Sequence, residues 1–376
     1  MAKLSYIEIS KENLLGNIRN IKQLLKVETK LAAVVKANAY GHGMEEIVDI
    51  VQDYIDYFQV DDIDELHRIR KLTSKPVLVL GYIKKTDLHD ILKLNCVLAV
   101  YDMSNLESIN SAAEEEGVNA IVHVAIDALL GREGILIDNL SAFISKLSDY
   151  SHIQVEGVYA HFANIEDTSD FTHAQKQIDT YKKALKIFSY NGFSNLLTHI
   201  SATSGILVYE KTFGENSLVR LGIGMYGLWP SEDLKLRYEK DSIYFTPILR
   251  WISHIGQIKT LPANYSIGYG LTYTTSKETK IALIPQGYSD GYDRGLSNIG
   301  EVLIREKRCH VLGRVAMNMF VVDVTNLEEV EIEDEVVLLG KQGNETISAE
   351  EIALKIGTIN YEVVARLSSL LPRVVV

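Results

Sequence analysis

A single lysine, Lys36, stands at the end of Leu31 to Val35, a short run of small and β-branched apolar residues. Such a run suits a strand buried on both faces of a parallel sheet. A lysine at its end sits beside an apolar wall, where desolvation favours the neutral amine that Schiff-base chemistry needs. A lysine that merely snorkels from a strand end reads the same way. Tyr40 follows, and Gly41 and Gly43 loosen the backbone on either side of His42. Other residues able to bind an anion or move a proton also fall at the ends of apolar runs. Arg132 follows Asp127 to Gly131, His161 follows Tyr159 and Ala160, and Ser204 follows His199 to Thr203. Arg220 lies within Leu218 to Leu221, just ahead of Gly222, Ile223 and Gly224. Glycine N–H groups and a serine hydroxyl at such a place can cradle a phosphate. Taken singly, His161 is more often a satisfied core histidine than a catalytic one, and Ser204 could simply cap a helix. Arg220 is different, because a buried guanidinium cannot shed its charge and needs a partner.

These residues need a scaffold that brings strand ends together. Strand-like runs return at Tyr57–Val60, Val77–Leu80, Val97–Val100, Ala120–Ile126, Val155–Ala160, Leu197–Ser201 and Leu218–Leu221, which with the lysine-bearing run makes eight. Amphipathic stretches such as Ile63–Leu72, Asn105–Glu115 and Ala174–Phe188 alternate with them. Eight alternations predict an α/β fold, a (β/α)8 barrel, whereas a doubly wound sheet needs no eighth unit. In such barrels function gathers at the C-terminal strand ends, with phosphate near the seventh and eighth strands, which is where Ser204 and Gly222 fall. From Ile248 onward, short alternating runs at Ile248–Ile258, Thr279–Ile284, Glu301–Ile304, His310–Val311, Val321–Val324 and Glu335–Leu339 predict a mainly β domain, with one helix at Ser348–Ile356. The expected division is a barrel over 10–236 and a β-rich domain over 237–376, which the strand in residues 1–9 joins.

Composition narrows the partners. A net charge of −12 argues against nucleic acid and anionic membrane surfaces. No apolar run reaches membrane-spanning length, and the first residues lack a signal-peptide layout, so a cytoplasmic protein is expected. Cys96 and Cys309 match no metal or redox spacing and read as small core residues, and no metal site is expected.

Residues 35–43, Val-Lys-Ala-Asn-Ala-Tyr-Gly-His-Gly, closely resemble the pyridoxal-phosphate lysine motif of bacterial alanine racemases. The resemblance runs in order along the chain to residue 362, through Val219–Leu228, Ile267–Gly270, Gly287–Arg294, Gly313–Asn318 and Thr358–Glu362. It implies pyridoxal 5'-phosphate as cofactor, bonded to Lys36 and held at its phosphate by Tyr40, Ser204, Gly222, Ile223 and Tyr361. It also implies His161 against the pyridine ring, Arg220 on the ring nitrogen, and Arg132 and Met317 at the substrate. Lys36 then serves one face of the substrate's Cα and Tyr269, from the other subunit of a homodimer, serves the opposite face. A free phenol, with a pKa of about 10, needs cationic help to act as a base, which a Tyr269–His161–Arg220 chain supplies in this reading. The implied activity is interconversion of L- and D-alanine, with D-alanine supplied to peptidoglycan. Racemisation of another small amino acid, a barrel-type amino-acid decarboxylase, a non-enzymatic cofactor-binding protein and a degenerate sensor are the competing readings. Tyr361 argues against serine-preferring relatives, which lose that tyrosine.

The sequence departs from the family at four places, where Ala125, Thr203, Ala316 and Asn318 stand. Ala125 replaces a lysine that is often carbamylated and whose charge holds the arginine equivalent to Arg132. An unpaired guanidinium is costly, so an anion is expected beside Arg132. Asp127 is one candidate, and a bound chloride is the favoured one.

Overall fold

The computed structural model describes residues 3–210, 214, 216–241 and 243–376. It divides into two units, one built from 15–36 and 47–246, the other from 3–14, 37–46 and 247–376. A first strand, β1 (Tyr6–Ile9), belongs to the latter.

The larger unit carries β2 (Lys30–Val34), β3 (Tyr57–Val60), β4 (Val77–Val79), β5 (Val97–Val100), β6 (Ala120–Asp127), the short β7 (Ile135–Leu136), β8 (Ile153–Tyr159), β9 (Leu197–His199) and β10 (Leu218–Leu221). Parallel pairing runs in the order β10-β2-β3-β4-β5-β6-β8-β9, with β7 beside β6. The two ends of this sheet come together, since Ser217 N donates to Thr198 O at 3.2 Å and Arg220 N to Ser201 O at 3.0 Å. The result is a nearly closed eight-stranded parallel barrel with alternating helices. Each expected run became a strand, because a strand covered on both faces reads as an unbroken apolar stretch. Ala32, Tyr57, Leu78, Val97 and Leu218 form one buried cluster on these strands. Helix starts follow local chemistry, with Asp62 and Asp102 accepting from Glu65 N and Asn105 N to cap the helices Ile63–Arg70 and Met103–Glu116.

The second unit holds β11 (Leu249–His254), β12 (Gln257–Leu261), β13 (Ser266–Ile267), β14 (Tyr273–Thr274), β15 (Thr279–Ile284), β16 (Glu301–Ile304), β17 (Lys307–Leu312), β18 (Phe320–Asp323), β19 (Glu335–Gln342), β20 (Glu345–Ile347) and β21 (Arg373–Val375). The expected single run Ile248–Ile258 is two strands, β11 and β12, separated at Ile255 and Gly256. β1 pairs antiparallel with β11 and parallel with β21, so both chain ends lie in this sheet. Burial pushes the free thiols of Cys96 and Cys309 up to about 12, leaving them unreactive.

Candidate active site

In the barrel unit, Lys36, Arg132, His161, Ser204 and Gly222 with Ile223 all follow the C-terminal ends of strands, on one rim. Arg220 lies in β10 and is 3 % exposed. Its Nη2 donates to Ala160 O at 2.8 Å and to His161 Nδ1 at 3.1 Å, and its Nη1 donates to His199 Nδ1 at 2.7 Å. The guanidinium also lies over the Tyr159 ring, 5.6 Å from its centroid. Burial lowers its pKa to about 10, so it remains charged at neutral pH. The partner required of a buried arginine is thus a set of carbonyls and imidazoles, and among the described residues no carboxylate is in direct contact with it.

That set continues through the barrel. His199 Nε2 lies 2.7 Å from His123 Nδ1, and His123 Nε2 lies 3.0 Å from Glu156 Oε2. Arginine only donates and a carboxylate only accepts, so the two ends fix every tautomer between them. His199 accepts at Nδ1 and donates from Nε2, and His123 accepts at Nδ1 and donates from Nε2 to Glu156. Burial, first among the causes, holds both imidazoles below their ordinary range, which keeps them neutral. These two histidines lie inside strands, and the sequence reading passed over them. Replacing Glu156 by leucine strands the His123 Nε2–H and is expected to cost about 1–3 kcal/mol, read as a fall in Tm. Glu156→Gln keeps an acceptor and should leave most of that stability in place.

His161 is driven down to about 3, by burial first and then by the cations Arg220, Arg132 and Lys36. His42, in the other unit, is lowered to about 4 by burial and donates from Nδ1 to Ala39 O and Tyr40 O. Unfolded histidines titrate near about 6.5 and these do not, so the unfolded chain binds more protons between the two values. Stability is therefore complete above about pH 6.5 and declines as pH falls toward the folded-state values, His42 alone accounting for about 3 kcal/mol at pH 4. Urea midpoints measured between pH 7 and 4 should fall steadily.

Ser204 sits in the turn Thr203–Gly205 after β9, and Gly222 leads into the turn Ile223–Tyr226 after β10. Gly224 N donates to Thr203 Oγ1 at 3.2 Å, which ties the two turns together. A Cβ on Gly224 would meet Thr203 Cγ2 at 2.7 Å, so the close approach depends on glycine. Lys36 makes an ion pair at the rim. Its Nζ donates to Asp61 Oδ2 at 2.8 Å, and its side chain is 37 % exposed.

Arg132 departs from expectation. Glu133 holds it through both oxygens, one of them 2.8 Å from Nη2. Asp127 instead accepts from Leu130 N and Gly131 N, and Ala125 is packed with Ala99 and Tyr159. The guanidinium already has its anion, which removes the reason for expecting chloride or Asp127 to hold it. The neighbour in sequence was the missed signal.

The second unit gathers its own elements. Ala37, Asn38, Ala39 and Tyr40 form a left-handed turn with φ of 50°, 55°, 54° and 53°. For residues with a Cβ this costs about 1–2 kcal/mol each. Gly41 N donates to Ala37 O, Gly43 N to Asn38 O, and Met44 N to the Asn38 side chain, which hold the turn. The Tyr40 and Tyr361 rings lie 6.2 Å apart. A Cβ on Gly287 would strike Ala316 O and Met317 O at 2.3 Å, so residues 287–294 pack directly on residues 313–318. Gly313 in turn lies against Ile267 O, close in sequence to Tyr269. Tyr269 is 75 % exposed and Met317 55 % exposed.

The barrel rim therefore offers an amine, a fixed donor-only cation and a hydroxyl with glycine-rich backbone. This donor set fits pyridoxal phosphate, whose carbonyl carbon, ring nitrogen and phosphate need those three things. A barrel protein that gathers reactive side chains at its C-terminal strand ends, as barrel-type enzymes do, is the class that fold and rim define. Comparison with known proteins narrows this. Residues 9–230 match the family model "Alanine racemase, N-terminal domain" and residues 248–375 match "Alanine racemase, C-terminal domain". The chain is 34 % identical over 378 residues to an alanine racemase of Leptospira interrogans, covering 99 % of this chain and 96 % of that one. It is 35 % identical over 372 residues to one of Methanococcus maripaludis, covering 98 % of each. The solved alanine racemase of Clostridium difficile 630 matches with a TM-score of 0.92 at 32 % identity, covering 100 % of this chain and 96 % of that one. The Bacillus anthracis structure with bound L-Ala-P has a TM-score of 0.92 at 28 % identity, with the same coverage. The chain belongs to the alanine racemase family.

Proposed function

We propose that this chain interconverts L- and D-alanine with pyridoxal 5'-phosphate, by two bases on opposite faces of Cα. Bound at the rim, the cofactor acidifies the substrate's Cα–H. In this reading Lys36 bonds to the cofactor and moves the proton on the D-side. Tyr269 moves the proton on the L-side and comes from the partner of a homodimer, so a lone chain lacks one base. The exposure of Tyr269 and Met317, with Leu271 at 67 %, supports a face that another chain covers. Tyr40, Ser204, Gly222, Ile223 and Tyr361 hold the phosphate, His161 flanks the ring, and Arg132 and Met317 meet the substrate. A cytoplasmic enzyme supplying D-alanine for peptidoglycan is the matching role. Among the described residues no helix is long and apolar enough to cross a membrane.

The observation that carries the reading is the buried Arg220 with its neutral histidine chain. A guanidinium that keeps its proton does not protonate the ring nitrogen, which leaves the ring a weaker electron sink. Proton exchange is favoured over loss of the carboxylate. The test is to follow optical rotation and CO2 together, with L-alanine as substrate. Rotation should decay to zero with no CO2 released. Release of CO2 would favour a decarboxylase, and decay with another small amino acid alone would move the substrate assignment.

A further inference from the structure

Among the described residues, the acid that touches Lys36 lies outside every motif of the family resemblance. Asp61 follows β3, the barrel strand beside the lysine's own, and its Oδ2 accepts from Lys36 Nζ at 2.8 Å. The backbone that carries this side chain is itself held in place. Asp61 N donates to Glu65 Oε2 at 2.9 Å, while Glu65 N donates to Asp62 Oδ1 at 2.8 Å, a reciprocal cap that fixes the start of the following helix. On the other side, Gly81 leaves room that any Cβ would fill, meeting Asp61 O at 2.1 Å and Asp61 Cβ at 3.1 Å. Its contact with Lys36 places the Asp61 carboxylate at the same rim as the other site residues.

We infer that Asp61 is a positioning residue for Lys36, holding its protonated ε-amino group on the lysine face of the reaction. This rests on the reading of Lys36 as the cofactor-bonding lysine and the D-side base. In the reaction, the pair of electrons on the Lys36 nitrogen takes the Cα proton of D-alanine, and the resulting ammonium is held by Asp61. On the return, that proton goes back to Cα and the amine is restored. No proton passes to Asp61 itself.

Two readouts test this with Asp61→Asn, which keeps the shape and removes the charge. The first needs no turnover. Apoprotein is mixed with pyridoxal phosphate at neutral pH, capture is followed by absorbance, and borohydride followed by peptide mapping locates the bond. Without the carboxylate Lys36 no longer has to leave an ion pair before it reacts, so capture is expected to be about threefold faster or more. The second readout compares α-deuterated enantiomers on the holoenzyme. Lys36 loses its ammonium partner, so the isotope effect with D-alanine should rise by about half again or more, while that with L-alanine should not rise. Asp61→Glu restores a carboxylate within reach and should return both readouts to within about twofold of the unaltered protein. Unchanged or slower capture, or isotope effects that move equally for both enantiomers, overturns the inference. If the unaltered protein is fixed by borohydride at a lysine other than Lys36, the assignment of Lys36 fails instead, and the two failures are told apart by the peptide map.

Discussion

Lys36→Ala is expected to abolish racemisation in both directions and to remove the visible absorbance of the bound cofactor. The reading assigns Lys36 both the covalent hold on the cofactor and one of the two proton transfers. Loss of a positioned general base alone costs about 10²–10⁴ in rate, and loss of the covalent hold adds to it. Activity should fall below about one part in 10⁴ of the original, with D- and L-alanine alike. The barrel fold should survive, because Lys36 is partly exposed and its partner Asp61 remains solvated when the amine is gone. Alanine also suits the end of the strand beside the buried Val34 and Val35. The measurement is racemisation followed by polarimetry, together with spectra before and after borohydride. A variant that keeps a reducible absorbance, mapped to a different lysine, would overturn the assignment.

Tyr269→Phe should lower racemisation by about 10²–10⁴-fold while the cofactor stays bound, since only a phenolic proton carrier is lost. Tyr269 is strongly exposed in its own unit, so the missing hydroxyl leaves no buried partner behind and stability should barely change. Complementation gives the sharper form of the test. If each site takes Lys36 from one chain and Tyr269 from the other, a dimer of one Lys36→Ala chain and one Tyr269→Phe chain regenerates one intact site. Random mixing makes half the dimers mixed, so specific activity should recover to about a quarter of the unaltered level. Mixed dimers shown to form, yet inactive, would count against a shared site.

The barrel was legible in the sequence for a definite reason. Strands covered on both faces must be apolar throughout, so Tyr57–Val60, Val97–Val100 and Leu218–Leu221 could be read to the residue. The second unit was harder. β11 and β12 form one alternating run in sequence, and only the turn at Ile255 and Gly256 divides them. β21 is short and lies at a sheet edge beside β1, a pairing across nearly the whole chain that no local pattern announces. The left-handed turn at residues 37–40 was also invisible, because alanine and tyrosine carry no preference for that conformation and the surrounding hydrogen bonds impose it.

For the chemistry, residue types placed at strand ends were enough to nominate Lys36, His161, Ser204 and Arg220, since parallel barrels bring strand ends to one rim. What the sequence by itself left undecided was which charges meet there. Asp61 reaches Lys36 because β2 and β3 are neighbours in the barrel, and Glu133 takes the guanidinium beside it because the turn after β6 folds back on itself. The chain from Glu156 through His123 and His199 to Arg220 joins residues of four strands that look like plain barrel interior when read singly. Local residue pattern determines which faces are buried, whereas the pairing of charges inside a barrel depends on strand order and register, which arise only when distant segments close on one another.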